Sequence, residues 1–159
     1  MELKHFFYKI LSIIRPSEHQ LMVKKWYNDG GEDKMRFNYH LNEKSLVLDV
    51  GGYNGQWSSD IFSRYKCKIF IFEPVRFFAE NITMRFEKND SICVCPFGLG
   101  GYTRTEKIFI SADGSSIFEK SPNYEEINIV DIYEWINING IEKVDLIKTA
   151  GEDIILRII

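Results

Sequence analysis

The residues best placed to do chemistry are a glycine turn and an acid downstream of it. Asp49-Val50-Gly51-Gly52-Tyr53-Asn54-Gly55 sets a carboxylate just ahead of a glycine pair and adds a third glycine shortly after. Glycine lets the backbone take positive φ and approach a ligand closely. A helix that begins after such a turn offers the unpaired N–H groups of its first residues. Glu73 lies about 20 residues beyond the turn, the spacing at which an acid accepts hydrogen bonds from a ribose. An adenosine ligand accounts for that acid. A solvent-facing glutamate before a helix, favoured there by the helix dipole, accounts for it as well. The glycine pattern itself discriminates among ligands. A dinucleotide fingerprint needs Gly-x-Gly-x-x-Gly, but here Gly51 and Gly52 adjoin and Tyr53 fills the second glycine's place. A pyrophosphate clamp, and with it a nicotinamide-dependent oxidoreductase, is disfavoured. An acid two residues before the first glycine fits instead the turn that passes the amino-acid tail of S-adenosylmethionine. A turn that binds nothing is the alternative.

These residues need a scaffold, and the flanking sequence supplies one. Leu46 to Val50 is apolar but for Asp49, as suits a strand of a parallel sheet covered on both faces. Trp57, Ile61, Phe62 and Tyr65 then return at helical spacing. Lys68 to Phe72 reads as a second strand. Val75, Phe78, Ala79, Ile82 and Phe86 form the stripe of an amphipathic helix. Ile92 to Cys95 is a third strand, stopped by Pro96 and by Gly98, Gly100 and Gly101. Lys107 to Ser111 and Ser116 to Phe118 read as short strands around Asp113-Gly114, a hairpin signal, with Asn128 to Val130 as another. Asp131 is placed to cap a helix running through Trp135 and Ile138, which Gly140 ends. Val144 to Lys148 is the last strand. Strands alternating with helices predict an α/β fold: a Rossmann-like parallel sheet with helices on both faces and a small β-hairpin insertion.

Upstream, Phe6, Ile10 and Ile14 are spaced as on a helix, Pro16 marks a boundary, and a second helix is expected over Glu18 to Tyr27. Residues 1–44 are read as an N-terminal helical segment and 45–159 as a partial domain built around the glycine turn. With Lys4, Lys9 and Arg15, the first helix could rest on a membrane surface, although packing as a lid on the domain is the favoured reading.

Composition narrows the function classes. The 159 residues are 45% hydrophobic and 27% charged, the profile of a globular chain. Lys and Arg number 20 against 23 Asp and Glu, a net charge of −3, which disfavours a nucleic-acid partner. No apolar run approaches the ~20 residues of a membrane-spanning helix. The start lacks a small-residue cleavage site and reads poorly as a secretion signal. Cys67, Cys93 and Cys95 show neither metal-ligand nor disulfide spacing, so no metal is expected, and a reducing cytoplasm fits. Cys93 and Cys95 fall on one face of a strand and read as packing residues.

Taken in order, SLVLDVGGYNGQWSSDIF from Ser45, IFIFEPV from Ile69, PFGLGG from Pro96, SADGSSIF from Ser111 and VDLIK from Val144 resemble the FkbM family of S-adenosylmethionine-dependent methyltransferases. The resemblance runs from about Ser45 to Lys148. Its most specific parts are Phe-Glu-Pro, Asp-x-Ser-Ser and Asp-Leu-x-Lys. It implies a class I methyltransferase sheet, S-adenosylmethionine as cofactor, and O-methyl transfer to a hydroxyl of a sugar or natural product. It also implies that Asp49, Gly51, Gly52, Gly55 and Glu73 line the cofactor site, with Phe97 and Gly98 near the adenine. Asp113, Ser115 and Ser116 match the family's segment on the substrate side, and a plain turn explains them equally. Lys148 matches its motif but could serve only the strand's end. His40 stands alone and reads as a surface or packing residue. No catalytic base is identified.

The chain departs from the family after Lys148. Either Ala150 stands where an aspartate belongs, or Gly151-Glu152 is displaced by lost residues. The family would go on to supply a further helix and the remaining strands, so the resemblance makes this a truncated or frameshifted member whose sheet is incomplete at the C-terminus. Against an active methyltransferase stands a non-catalytic remnant serving as an adenosine-binding or interaction module.

Overall fold

The computed structural model describes residues 17–31, 36–111, 114–116 and 124–149. The first helix expected from sequence, Asp113 and the segment after Thr149 lie outside them. The chain divides into two compact units, Met1–His40 and Leu41–Ile159. In the first, α1 (Glu18–Asn28) begins with a capping box: the Gln20 backbone N–H donates to Ser17 Oγ, and the Ser17 N–H donates back to Gln20 Oε1. Gly30, at φ 73°, follows its end. Among the described residues no helix is long and apolar enough to cross a membrane.

The second unit runs β1 (Leu46–Val50), α2 (Gln56–Tyr65), β2 (Lys68–Phe72), α3 (Arg76–Arg85) and β3 (Ile92–Cys95). It continues through β4 (Gly98–Gly100), β5 (Arg104–Ser111), β6 (Gly114–Ser116), β7 (Tyr124–Asp131), α4 (Ile132–Ile138) and β8 (Leu146–Thr149). Four strands form a parallel sheet in the order β3-β2-β1-β8. The chain steps outward from β1 to β3, then returns to add β8 on the other side of β1. That reversal is the switch point of a doubly wound sheet, where ligands bind beyond the strands' carboxyl ends. Asp145 fixes β8 there: its backbone N–H donates to the Leu46 carbonyl, and its Oδ2 accepts the Leu46 N–H, each at 2.9 Å.

Alternation along the strands sorts residues between two covered faces. Leu48, Val50 and Phe72 pack with Ile132 and Trp135 of α4, and Trp135 meets the Phe70 and Phe72 rings edge-on at 5.0 and 4.9 Å. The opposite face takes α2, through a bond from Ser58 to Asp49, and α3, whose Ile82 shares the space beside Gly52 with Ile71. Helices therefore cover both faces. The α/β, Rossmann-like reading holds, and double coverage explains why β1 is apolar nearly throughout.

The expected hairpin insertion is larger than the sequence indicates. A second four-stranded sheet, ordered β4-β7-β5-β6, contains it. β5 pairs antiparallel with both β6 and β7, while β4 pairs parallel with β7. Gly114 already sits in the ladder opposite Ser111, so the second hairpin strand begins earlier than expected. The expected short strand at Asn128 is the end of an eight-residue one. Gly98 and Gly100, read as breakers, form a strand instead. A β-carbon on Gly98 would come 2.7 Å from Ile129 Cδ1, and one on Gly100 2.7 Å from Ile129 Cγ2. The bare backbone of β4 lets β7 approach that closely, a positional use of glycine in strands.

Candidate functional site

The expected glycine turn forms at the carboxyl end of β1. Gly51 has φ 82° and Gly55 φ 73°, and Tyr53 between them is itself left-handed at 52°. Gly51 and Gly52 both donate their N–H to the Phe72 carbonyl, at 2.9 and 3.3 Å. Gly52 has no room for a side chain, since its β-carbon would fall 2.2 Å from Ile71 Cγ2. Gly55 is the N-cap of α2 and provides no side-chain cap.

Two buried carboxylates hold this turn. Asp49 is fully buried. Ser58 Oγ donates to its Oδ2 at 2.6 Å, and Lys148 Nζ donates to its Oδ1 at 2.8 Å. The same ammonium donates to the Gly51 carbonyl at 2.9 Å. Parallel register makes this possible, because Asp49 and Lys148 are direct partners across the β1–β8 ladder and point to one face. Glu73 is only 5% exposed. Its Oε2 accepts the Tyr53 N–H at 2.8 Å, and its Oε1 accepts the Val75 N–H at 3.0 Å. Burial pushes this carboxyl above its ordinary value of 4.5, against the pull of the Val75 and Tyr53 amides; Asp49 raises it further and Lys148 lowers it. Glu73 thus sits at the start of α3 and also reaches back to the turn. Glu125 of β7 completes that helix start by accepting the Arg76 N–H at 3.0 Å, a cap supplied from another sheet.

The structure gathers Asp49, Gly51, Gly52, Gly55 and Glu73 at one end of the parallel sheet. Phe97 and Gly98 are used in packing. The Phe97 ring lies against Phe72, with centroids 5.8 Å apart, on the α4 side, and Gly98 faces Ile129 and Pro74. His40 is exposed in the first unit. Ser115 and Ser116 lie in β6, opposite Ile110 and Phe109. Cys67 is buried, Cys93 and Cys95 are half-buried, and all three are free thiols. Among the described residues no group of acids, histidines and cysteines could hold a metal. A groove of about 740 Å³ between α3 and β7, lined by Arg76, Glu80, Thr83, Glu125 and Asn128 among others, contains none of the expected site residues.

Ser58 and the clamp made by Lys148 were not legible as site-building residues. Ser58 follows Gly55 within the first turn of α2, so its type and place were a usable signal. The partnership of Lys148 depends on a pairing between residues far apart in the chain.

The sheet order and its switch-point turn define a doubly wound α/β domain. No protein-family model and no curated protein matches the chain. Among solved structures it is similar to the cyclopropane synthase MmaA2 from Mycobacterium tuberculosis, at 15% identity and a TM-score of 0.36, over 53% of this chain. The chain spans 28% of the length of that structure.

Proposed function

We propose that the chain carries an S-adenosylmethionine-binding methyltransferase domain that transfers a methyl group to a hydroxyl of a sugar or other small molecule. One observation supports this above the others. The glycine turn after Asp49 and the carboxylate of Glu73 meet at the carboxyl end of β1 and β2, joined by the Tyr53 N–H. A turn with Tyr53 in the second glycine's place, next to an acid at the end of the neighbouring strand, suits a nucleoside carrying an amino-acid tail better than a pyrophosphate. The sulfonium methyl is already activated, so the domain's task is to align donor and hydroxyl. A cytoplasmic location accompanies this reading, on the three free thiols.

Titration calorimetry tests it. S-adenosylmethionine and S-adenosylhomocysteine should bind, and NAD should not. Glu73→Ala should weaken both adenosine ligands by about 1–3 kcal/mol, the scale of a hydrogen bond to a charged group. Preference for NAD, or unchanged affinity in the variant, would overturn the assignment.

A second reading is favoured by a separate observation. Each oxygen of Asp49 and of Glu73 already accepts one hydrogen bond from the protein itself. A crevice so satisfied would also suit a non-catalytic module that binds adenosine ligands or another protein. Tight binding without methyl transfer to any saccharide acceptor would favour that module.

A further inference from the structure

We infer that Lys148 is the anchor for the carboxylate of the ligand's amino-acid tail, an inference that rests on the methyltransferase reading above. The Lys148 ammonium lies at the switch point, where β8 flanks β1. Its three protons have two acceptors among the described residues, Asp49 Oδ1 and the Gly51 carbonyl. Its side chain remains 25% exposed, although its partner Asp49 is completely covered. The Trp57 ring centroid lies 5.7 Å from the same ammonium, and the side that stays open is the one a ligand's anionic group would reach. The start of α2 is capped from within the turn, the Gln56 N–H donating to Asn54 Oδ1 at 3.0 Å.

The two sides of the turn therefore differ in charge: the Lys148 ammonium stands in β8, and the Glu73 carboxylate directly follows β2. The two groups sense each other, since the field of Lys148 acts on Glu73. A ligand with an anionic group at one end and hydroxyl donors at the other matches this layout in only one direction. Its carboxylate meets the third proton of Lys148, and its ribose meets Glu73. Asp49 then acts as a positioning residue, holding the ammonium where the ligand's carboxylate arrives.

The test compares S-adenosylmethionine with its decarboxylated analogue, which lacks only the carboxylate. Because Lys148→Met alone strands a buried charge, the pair to compare is Asp49→Asn, which keeps the lysine, and Asp49→Asn/Lys148→Met, which does not. Wild type and Asp49→Asn should bind S-adenosylmethionine more tightly than the analogue by about tenfold or more, the scale of one charge-assisted hydrogen bond. The double variant should bind the two equally. A purely structural lysine would weaken both ligands together and leave their ratio unchanged, which would overturn the inference. Equal binding of the two by wild type would overturn it also, while leaving the methyltransferase reading intact. Failure of the wild-type protein to bind either ligand would remove the reading and the inference together.

Discussion

At the scale of single residues, the site is built by satisfying buried charge. Asp49 is tolerated at zero exposure because a hydroxyl and an ammonium each take one of its oxygens; a buried charge without partners is costly. Glu73 is held by amides alone, and burial outweighs them, so its carboxyl is raised above the ordinary 4.5. The folded protein then keeps the Glu73 proton to higher pH than the unfolded chain does. Stability linked to this group is complete below about 4.5 and is lost as pH rises through the folded value. Denaturant midpoints measured from pH 4.5 to about 7 should fall for the wild type relative to Glu73→Gln, whose side chain does not titrate. Parallel curves for the two proteins would show that Glu73 has no raised value. Cys95 is governed by the same physics. Burial pushes its thiol up to about 11, in keeping with its packing role on the α4 side of the sheet.

At the scale of elements, the local signals performed unevenly, for identifiable reasons. Asp131 caps α4 as its type and place predict, its Oδ1 accepting the Glu134 N–H at 2.9 Å. The stripe from Val75 to Phe86 becomes α3, with Ala79 and Ile82 buried. Both features depend on neighbours within a turn or two of helix, which sequence displays directly. The glycines of β4 misled because their purpose is tertiary. Gly98 is strand rather than breaker since Ile129, about 30 positions away in the ladder partner β7, presses on its bare backbone. Gly98→Ala should therefore destabilise by about 1–3 kcal/mol, the cost of overpacking a filled space. Urea unfolding would reveal this, and an unchanged midpoint would mean that β4 and β7 have slack between them.

At the scale of the domain, one helix ties the two sheets' chain segments together. Trp135 of α4 packs on Phe70 and Phe72 of the parallel sheet, and belongs to a cluster that includes Leu99 of β4. Trp135→Ala should cost about 3–5 kcal/mol by emptying that space, and calorimetric melting should drop accordingly. A small shift would mean that α4 contributes little to holding β4 against the parallel sheet. The amino-acid sequence alone determined the alternation of strand and helix, the glycine turn after Asp49 and the acid at Glu73, because period, turn chemistry and short spacing are properties of neighbouring residues. Tertiary structure alone decided that Lys148 clamps Asp49 and Gly51, that Ser58 completes the buried carboxylate, that Glu73 spans the turn and a helix start, and that the glycines after β3 open a second sheet. Each of those contacts joins positions separated along the chain, and only the register of the folded strands brings them within hydrogen-bonding or packing distance.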